Sequence, residues 1–320
     1  MTKPLAARQR GAALLAAMLT VTLVATLSAA ALWQQWRSVE VETAERTRVQ
    51  SGWILNGALD WARLILREDG RTGGADYLAE PWALPLQEAR LSTFLSASDT
   101  SVDDPAQDAF LSGQIQDLQA RMNVNNLVVS NKLSDPDLLA FGRLFQLLGL
   151  PQQQLATLSA QLLIAKKGAG GTNASVPLVP QRVDQLVWLG LAPQAVALLK
   201  PYITLLPDRT PLNINTASAE ALYASIPGLD LSGAQRLVAA RESSHFASLT
   251  DAGKLASAIT GMTASGQLSV ASRFFEVRGR LRIDRTVIEE LSTVQRDGVT
   301  VRTLWHERGV SSLPPKAAPG

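Results

Sequence analysis

A chain of 320 residues suffices for one large or two to three smaller domains, and the lack of cysteine excludes disulfides, thiolate ligands and cysteine nucleophiles. Formal net charge is +2; three of the 30 basic residues, Lys3, Arg8 and Arg10, precede Gly11, leaving 27 against 28 acidic residues, which is not the balance of a nucleic-acid-binding protein. The two histidines, His245 and His306, form no ligand-spaced pair, and no G-x-S-x-G, Walker A or H-E-x-x-H motif occurs, so the sequence gives no enzyme reading.

The first element is an uncharged stretch between Arg10 and Arg37. Its apolar part, Gly11 to Leu32, is 22 residues long, enough for an α-helix to cross a hydrocarbon core of ~30 Å. A core helix at this position would rarely follow a basic leader. A secretory signal cut near Ala29–Ala31 would have a shorter apolar region, usually ~7–15 residues. A retained span fits better: basic residues precede it, placing the chain beyond Leu32 outside the inner membrane, and Trp33 and Trp36 stand where interfacial anchors belong. The junction Arg8-Gln9-Arg10-Gly11-Ala12-Ala13-Leu14-Leu15-Ala16 resembles a type IV prepilin signal. That resemblance implies cleavage after Gly11 by the prepilin peptidase, with Ala12 as the new N-terminus.

The helical pattern continues from Arg37 to Glu68. Val49, Trp53, Gly57 and Trp61 recur at i, i+4 and are expected to pack a core, with Ala58, Ala62 and Ile65 on a neighbouring stripe. Asp69-Gly70 and Gly73-Gly74 end the helix. Residues 76–108 read as loop. Asp99, Asp103 and Asp104 offer oxygen ligands for Ca²⁺ but lack the D-x-D-x-D-G spacing, so a solvated loop is the expectation. Residues 109–122 can supply a strand or two.

From Asn125 to about Gly266 the pattern is helical, with segments at 135–148, 151–167, 182–189 and 193–203 and a flexible linker at Gly168–Asn173. Thr216 or Ser218 is a plausible N-cap for a helix over 219–225. Pro227-Gly228-Leu229-Asp230 then turns into a second helix over 232–242. This pair resembles the helix-hairpin-helix family, whose turn presents backbone N–H groups to phosphate. Asp230 stands where that family has a second Gly, and its carboxylate repels phosphate, so a structural hairpin is expected. From Ser272 the period becomes two: Phe275, Val277, Leu281 and Ile283 alternate with polar residues, a second run covers 286–295, and Asp297-Gly298 turns into Val299–Trp305. The Pro-rich tail reads as disordered.

A sheet needs cover for its apolar face, and the second half of the N-terminal helix is the candidate. The expected fold is therefore α+β: a pilin-like long helix packed on a small antiparallel sheet, with a large inserted all-α domain of SAM-like or helix-hairpin-helix-like character. The expected divisions are a leader (1–11), a transmembrane helix (12–36), a first pilin-like part (37–124), the insert (125–271, in two parts of about 125–205 and 206–271), C-terminal strands (272–309) and a tail (310–320).

Several stretches, in order along nearly the whole chain, resemble the minor pseudopilin K family of type II secretion. They are the Gly11 junction, Gly57–Gly70, Tyr77–Leu86, Ile115–Leu127, Leu212–Ala217 and the Arg296-Asp-Gly-Val hairpin. The resemblance implies a periplasmic chain with one inner-membrane span in a Gram-negative bacterium, placed at the tip of the pseudopilus with minor pseudopilins I and J. It implies a requirement for pseudopilus assembly and for export of folded proteins, with dealings with the prepilin peptidase and the inner-membrane assembly platform. Exoprotein or the outer-membrane secretin is a further contact left open, and so is Ca²⁺, which the family is reported to bind. Most prepilins have Glu as the fifth mature residue; here it is Ala16. A tip subunit has no neighbour whose N-terminal amine that Glu would neutralise, and an unpaired carboxylate in hydrocarbon costs several kcal/mol. The competing reading is a membrane-anchored DNA receptor built on the helical hairpin; Asp230 and the near-neutral charge oppose it, and no nucleic-acid partner is expected.

Overall fold

The computed structural model describes residues 10–92, 109–168, 176–262, 265–283 and 286–312. The chain divides into two compact units, one ending at Asn56 and one beginning at Gly57. Residues 1–9 of the expected leader, the acidic stretch with Asp99, Asp103 and Asp104, most of the Gly168–Asn173 linker and residues 313–320 lie outside the described residues.

The first described element is α1 (Arg10–Thr72), 63 residues long. Up to Asn56 it constitutes the first unit. It contains a window of mean hydropathy 2.1 with none of its residues buried and is, among the described residues, the one helix long and apolar enough to cross a membrane. Its polar side chains are satisfied internally, as hydrocarbon requires: the hydroxyls of Thr20, Thr22 and Thr26 donate to the carbonyls of Ala17, Leu19 and Leu23.

The Trp stripe is not core. Trp53 is 74% and Trp61 50% exposed, and Val49 is exposed too, whereas Ala62 and Leu66 are buried. The i, i+4 periodicity marks two faces of this helix, and the smaller side chains are the ones that lie flat on the sheet. Indoles there would hold the helix further from the strands.

In the second unit, β1 (Leu86–Arg90), β2 (Ala109–Asp117), β9 (Phe274–Ile283), β10 (Thr286–Asp297) and β11 (Thr300–Ser312) form one antiparallel sheet in the order β1-β2-β9-β10-β11. Strand β1 falls in a stretch expected to be loop. Five residues of weak alternation become a strand because β2 offers them a ladder, Arg90 opposite Phe110. The β10–β11 turn is Gly298-Val299, one residue later than expected, since Asp297 already pairs with Thr300. Gly298 has φ 58°, the conformation a tight hairpin needs at its first turn residue. Strand β11 reaches Ser312, so residues 310–312, expected in the tail, are held by pairing with Thr286–Ile288.

Ala62 and Leu66 of α1 pack with Trp82, Ile115, Phe275, Val277, Val294 and Val301 to make the sheet's core. Trp82 meets Phe275 edge-on, ring centroids 5.2 Å apart, and its Nε1 donates to Glu80 (2.7 Å). The helix covers the sheet as expected.

Between β2 and β9 the chain makes the insert. After β3 (Met122–Asn123), β4 (Val128–Val129) and β5 (Lys132–Leu133) come α2 (Asp135–Leu147), α3 (Gln152–Gly168), a 3₁₀ segment (Val183–Leu189), α4 (Pro193–Leu199), β6 (Ile203–Thr204) and β7 (Leu212–Asn213). Then follow α5 (Ala219–Ser225), α6 (Leu231–Ser243), α7 (Leu249–Leu255), α8 (Ser257–Thr260) and β8 (Leu268–Ser269). The insert is not purely helical: β3 pairs β6 and β7 pairs β8 in parallel, and β4 pairs β5. The helix expected over 193–203 therefore stops at Leu199, because Ile203 and Thr204 are drawn into a ladder with Met122 and Asn123. One hydrophobic core runs from Met122 through Phe141, Leu158, Leu186, Leu222 and Leu237 to Leu268. The insert's two expected parts share it.

Candidate functional site

Three places carry the residues singled out in the sequence. Gly11, Ala12 and Ala16 lie in α1, and Ala12 and Ala16 are exposed. Pro227, Gly228 and Asp230 form the turn between α5 and α6. Gly228 has φ 79°, and Asp230 is the N-cap of α6, its Oδ1 accepting from Gly233 N (2.8 Å) and its Oδ2 from Ser232 (2.8 Å). These bonds, led by the Ser232 hydroxyl, hold the Asp230 carboxyl below its ordinary range. The N–H group that a phosphate would need is already occupied by a carboxylate. From the other side Arg143 donates to the carbonyls of Tyr223, Ile226 (2.6 Å) and Leu229 (3.3 Å), so the turn is closed by the chain's own groups.

The third place is a buried polar joint between the sheet and the insert. It gathers stretches far apart in sequence: Asp76 after α1, Asp117 at the end of β2, Asn213 in β7 with Thr216 beyond it, Ser272 before β9 and Arg296 in β10. Asn213 is fully buried, and its Nδ2 lies within bonding distance of the Asp76 carbonyl (3.1 Å), Asp117 Oδ2 (3.0 Å) and Ser272 Oγ (2.9 Å). Asp117 Oδ2 also accepts from Thr216 Oγ1 (2.6 Å) and Ser272 Oγ (2.6 Å), and its Oδ1 from Gln119 N (2.7 Å). Burial pushes the Asp117 carboxyl up, and four neutral donors offset that in part.

Beside this knot lies an ionic one. Arg296 Nη2 donates to both oxygens of Asp76 (2.6 and 2.8 Å) and to the Ser272 carbonyl (2.9 Å), while Nη1 donates to Asp69. Ser272 N donates to Asp76 Oδ2 (2.6 Å). Burial pushes Asp76 up to about 6 against the pull of Arg296. Glu80 Oε2 accepts from Tyr77 N (2.9 Å) and Trp82 Nε1 (2.7 Å), yet burial still pushes Glu80 up to about 7. Tyr77 in turn stacks on His245 of the insert at 3.8 Å between centroids.

Oxygens of Asp69, Asp76 and Glu80 lie within 4.8 Å of one another, close enough in principle to share a cation. The residues present do not suit calcium. Both Asp carboxylates are already bonded to the Arg296 guanidinium, and one Glu80 oxygen is taken by two N–H donors. Arg296 is the cation that holds Asp69 and Asp76.

The joint was missed as a site in the sequence, although Ile115–Leu127, Leu212–Ala217 and the Arg296 hairpin had been picked out as characteristic stretches. The available signal was polar residues flanked by apolar ones, such as Asn213 between Leu212 and Ile214.

A family described as type II secretion system (T2SS), protein K, matches residues 212–271, which begin at the joint strand β7. The type II secretion system protein K of Pseudomonas aeruginosa is 27% identical over 336 residues, covering 96% of this chain and 95% of that protein. One chain of the solved GspK-GspI-GspJ complex from enterotoxigenic Escherichia coli superposes with a TM-score of 0.59 at 17% identity, covering 84% of this chain and 99% of that one, which shows the shared fold. A family stretch, a relative matched over nearly its whole length and a common architecture agree: the chain is similar throughout to type II secretion system protein K.

Proposed function

We propose that this protein is a minor pseudopilin at the tip of the type II secretion pseudopilus, where it assembles with minor pseudopilins I and J and is required for export of folded proteins across the outer membrane. The observation that carries the reading is a pilin-like helix on a sheet that is interrupted, between neighbouring strands β2 and β9, by a helical insert larger than the sheet. A subunit with that bulk suits a cap and does not suit the repeated body of a filament. The complex of the structural neighbour, GspK with GspI and GspJ, supports partners of the same kinds here.

In this reading the peptidase cuts after Gly11, Ala12 becomes the N-terminus, residues 12–36 stay in the inner membrane, and the rest faces the periplasm until the assembly platform extracts the helix. The insert corresponds to two SAM-like parts, about 125–205 and 206–271, with the α5–α6 hairpin in the second. The bulky insert stops further subunits from adding and is presented to exoprotein or secretin. Deleting the gene and assaying export tests the role: loss of type II substrates from the medium is expected, and normal export overturns it. N-terminal sequencing of protein recovered from membranes tests the processing: a chain beginning at Ala12 is expected, and one beginning at Met1 with the peptidase present, or near Trp33, overturns it.

A further inference from the structure

The ionic knot beside the joint is unbalanced. Three carboxylates, Asp69 at the end of α1 and Asp76 and Glu80 in the loop after it, converge within 4.8 Å. Arg296 reaches Asp69 and Asp76 and spends its remaining contact on the Ser272 carbonyl. The nearby Arg273 is bonded instead to Asp297, through Nε at 2.9 Å. Among the described residues, Glu80 therefore has two N–H donors and no cation as hydrogen-bond partners. The cluster lines a cavity of about 170 Å³ together with Gly70, Gly73, Gly74, Ser272 and Gly298. Asp117 lies across Ser272 with neutral donors of its own, and His245 stacks on Tyr77, whose N–H is bonded to Glu80. Each carboxylate in the group adds to the cost of ionising the others, and a partly buried site screens that repulsion poorly.

We infer that this joint is a proton-sensitive latch: Glu80, crowded by Asp69 and Asp76 and not reached by Arg296, holds a proton, and the grip of the sheet on the insert weakens as that proton leaves. The elevation of Glu80 to about 7 agrees with the geometry. The sign follows from linkage. At low pH folded and unfolded chains both carry the proton. As pH rises past the ordinary glutamate range the unfolded chain loses it first, so stability falls until the folded chain has lost it as well, near pH 7.

The experiment uses the full chain in detergent micelles. Its unfolding midpoint is followed from pH 5 to 8, with amide exchange read at 212–214 and 272–274. The native chain is expected to lose about 2–4 °C across that range while exchange at the joint increases. Glu80→Gln, which keeps an acceptor for Tyr77 N but carries no proton to lose, is expected to shrink both responses, leaving the part that Asp76 carries. Superimposable profiles for the native chain and Glu80→Gln overturn the latch. Should Glu80→Gln not fold, the carboxyl carbons of the native chain are titrated by NMR, which separates them from His245. A midpoint above pH 6 at the Glu80 carboxyl carbon supports the proposal, and one at or below pH 6 overturns it. Export assays are independent of both readouts, so the latch can fail while the secretion role stands.

Discussion

Arg296 is the most consequential single residue at the joint. It is 8% exposed and bonds two carboxylates and a carbonyl from three segments. Arg296→Met leaves Asp69 and Asp76 close together and without a cation, so a loss of about 3–5 kcal/mol is expected in denaturant unfolding of the full chain. Two glycines of α1 make a sharper comparison. A Cβ on Gly70 would collide with the Gly298 carbonyl, the point where the helix end meets the β10–β11 turn, whereas a Cβ on Gly57 meets nothing. Gly70→Ala is expected to cost about 1–3 kcal/mol because backbone must shift. Gly57→Ala is expected to be neutral or to gain up to about 1 kcal/mol from helix propensity. The same unfolding measurement checks both, and equal effects would contradict the close approach. At the hairpin, Asp230→Ala removes the α6 cap and is expected to lower the denaturant midpoint, checked in the same way.

For the elements, the lesson lies in which periodicities survive contact with a tertiary partner. The long helix, the final three strands and the α5–α6 hairpin were legible because each is set by local pattern and local caps, Ser218 at α5 and Asp230 at α6. Strands β1, β6, β7 and β8 were not, because two to five residues carry no period, and only distant partners such as Met122 for Ile203 make them strands. The joint escaped for the same reason: Asp76, Asp117, Asn213 and Ser272 meet only once the chain has folded. The face of α1 was misassigned because its smaller apolar residues, not its indoles, meet the sheet. That assignment is testable. Trp82→Ala empties a fully enclosed place against Phe275 and is expected to cost about 3–5 kcal/mol. Trp61→Ala, half in solvent, is expected to change the stability of the isolated chain by no more than about 0.5 kcal/mol. A large loss from Trp61→Ala in the unassembled protein would show that the exposed face had been misread.

At the scale of the molecule, the span and the insert are the two features the secretion role depends on. In the proposed role, Ala16→Glu would place a carboxylate in hydrocarbon with no neighbouring amine to pair it, at a cost of several kcal/mol. Reduced pseudopilus formation and reduced export are expected, measured against the native chain at equal protein level; undiminished export would remove the explanation given for Ala16.

The insertion point has a consequence for how the protein is made. Strands β2 and β9 are neighbours along nine residue pairs, Ala109 with Ile283 through Asp117 with Phe275, yet every residue of the insert lies between them in the chain. As the chain is made, the N-terminal half of the sheet emerges as the β1–β2 ribbon alone, with one side of β2 unpaired and Trp82 awaiting Phe275. Pairing over so long a separation is slow, and an exposed edge is open to wrong partners. Strands β9 to β11 are therefore the ones that close the pilin-like part, and a nascent chain stalled before Phe274 would carry a finished insert on an unfinished base.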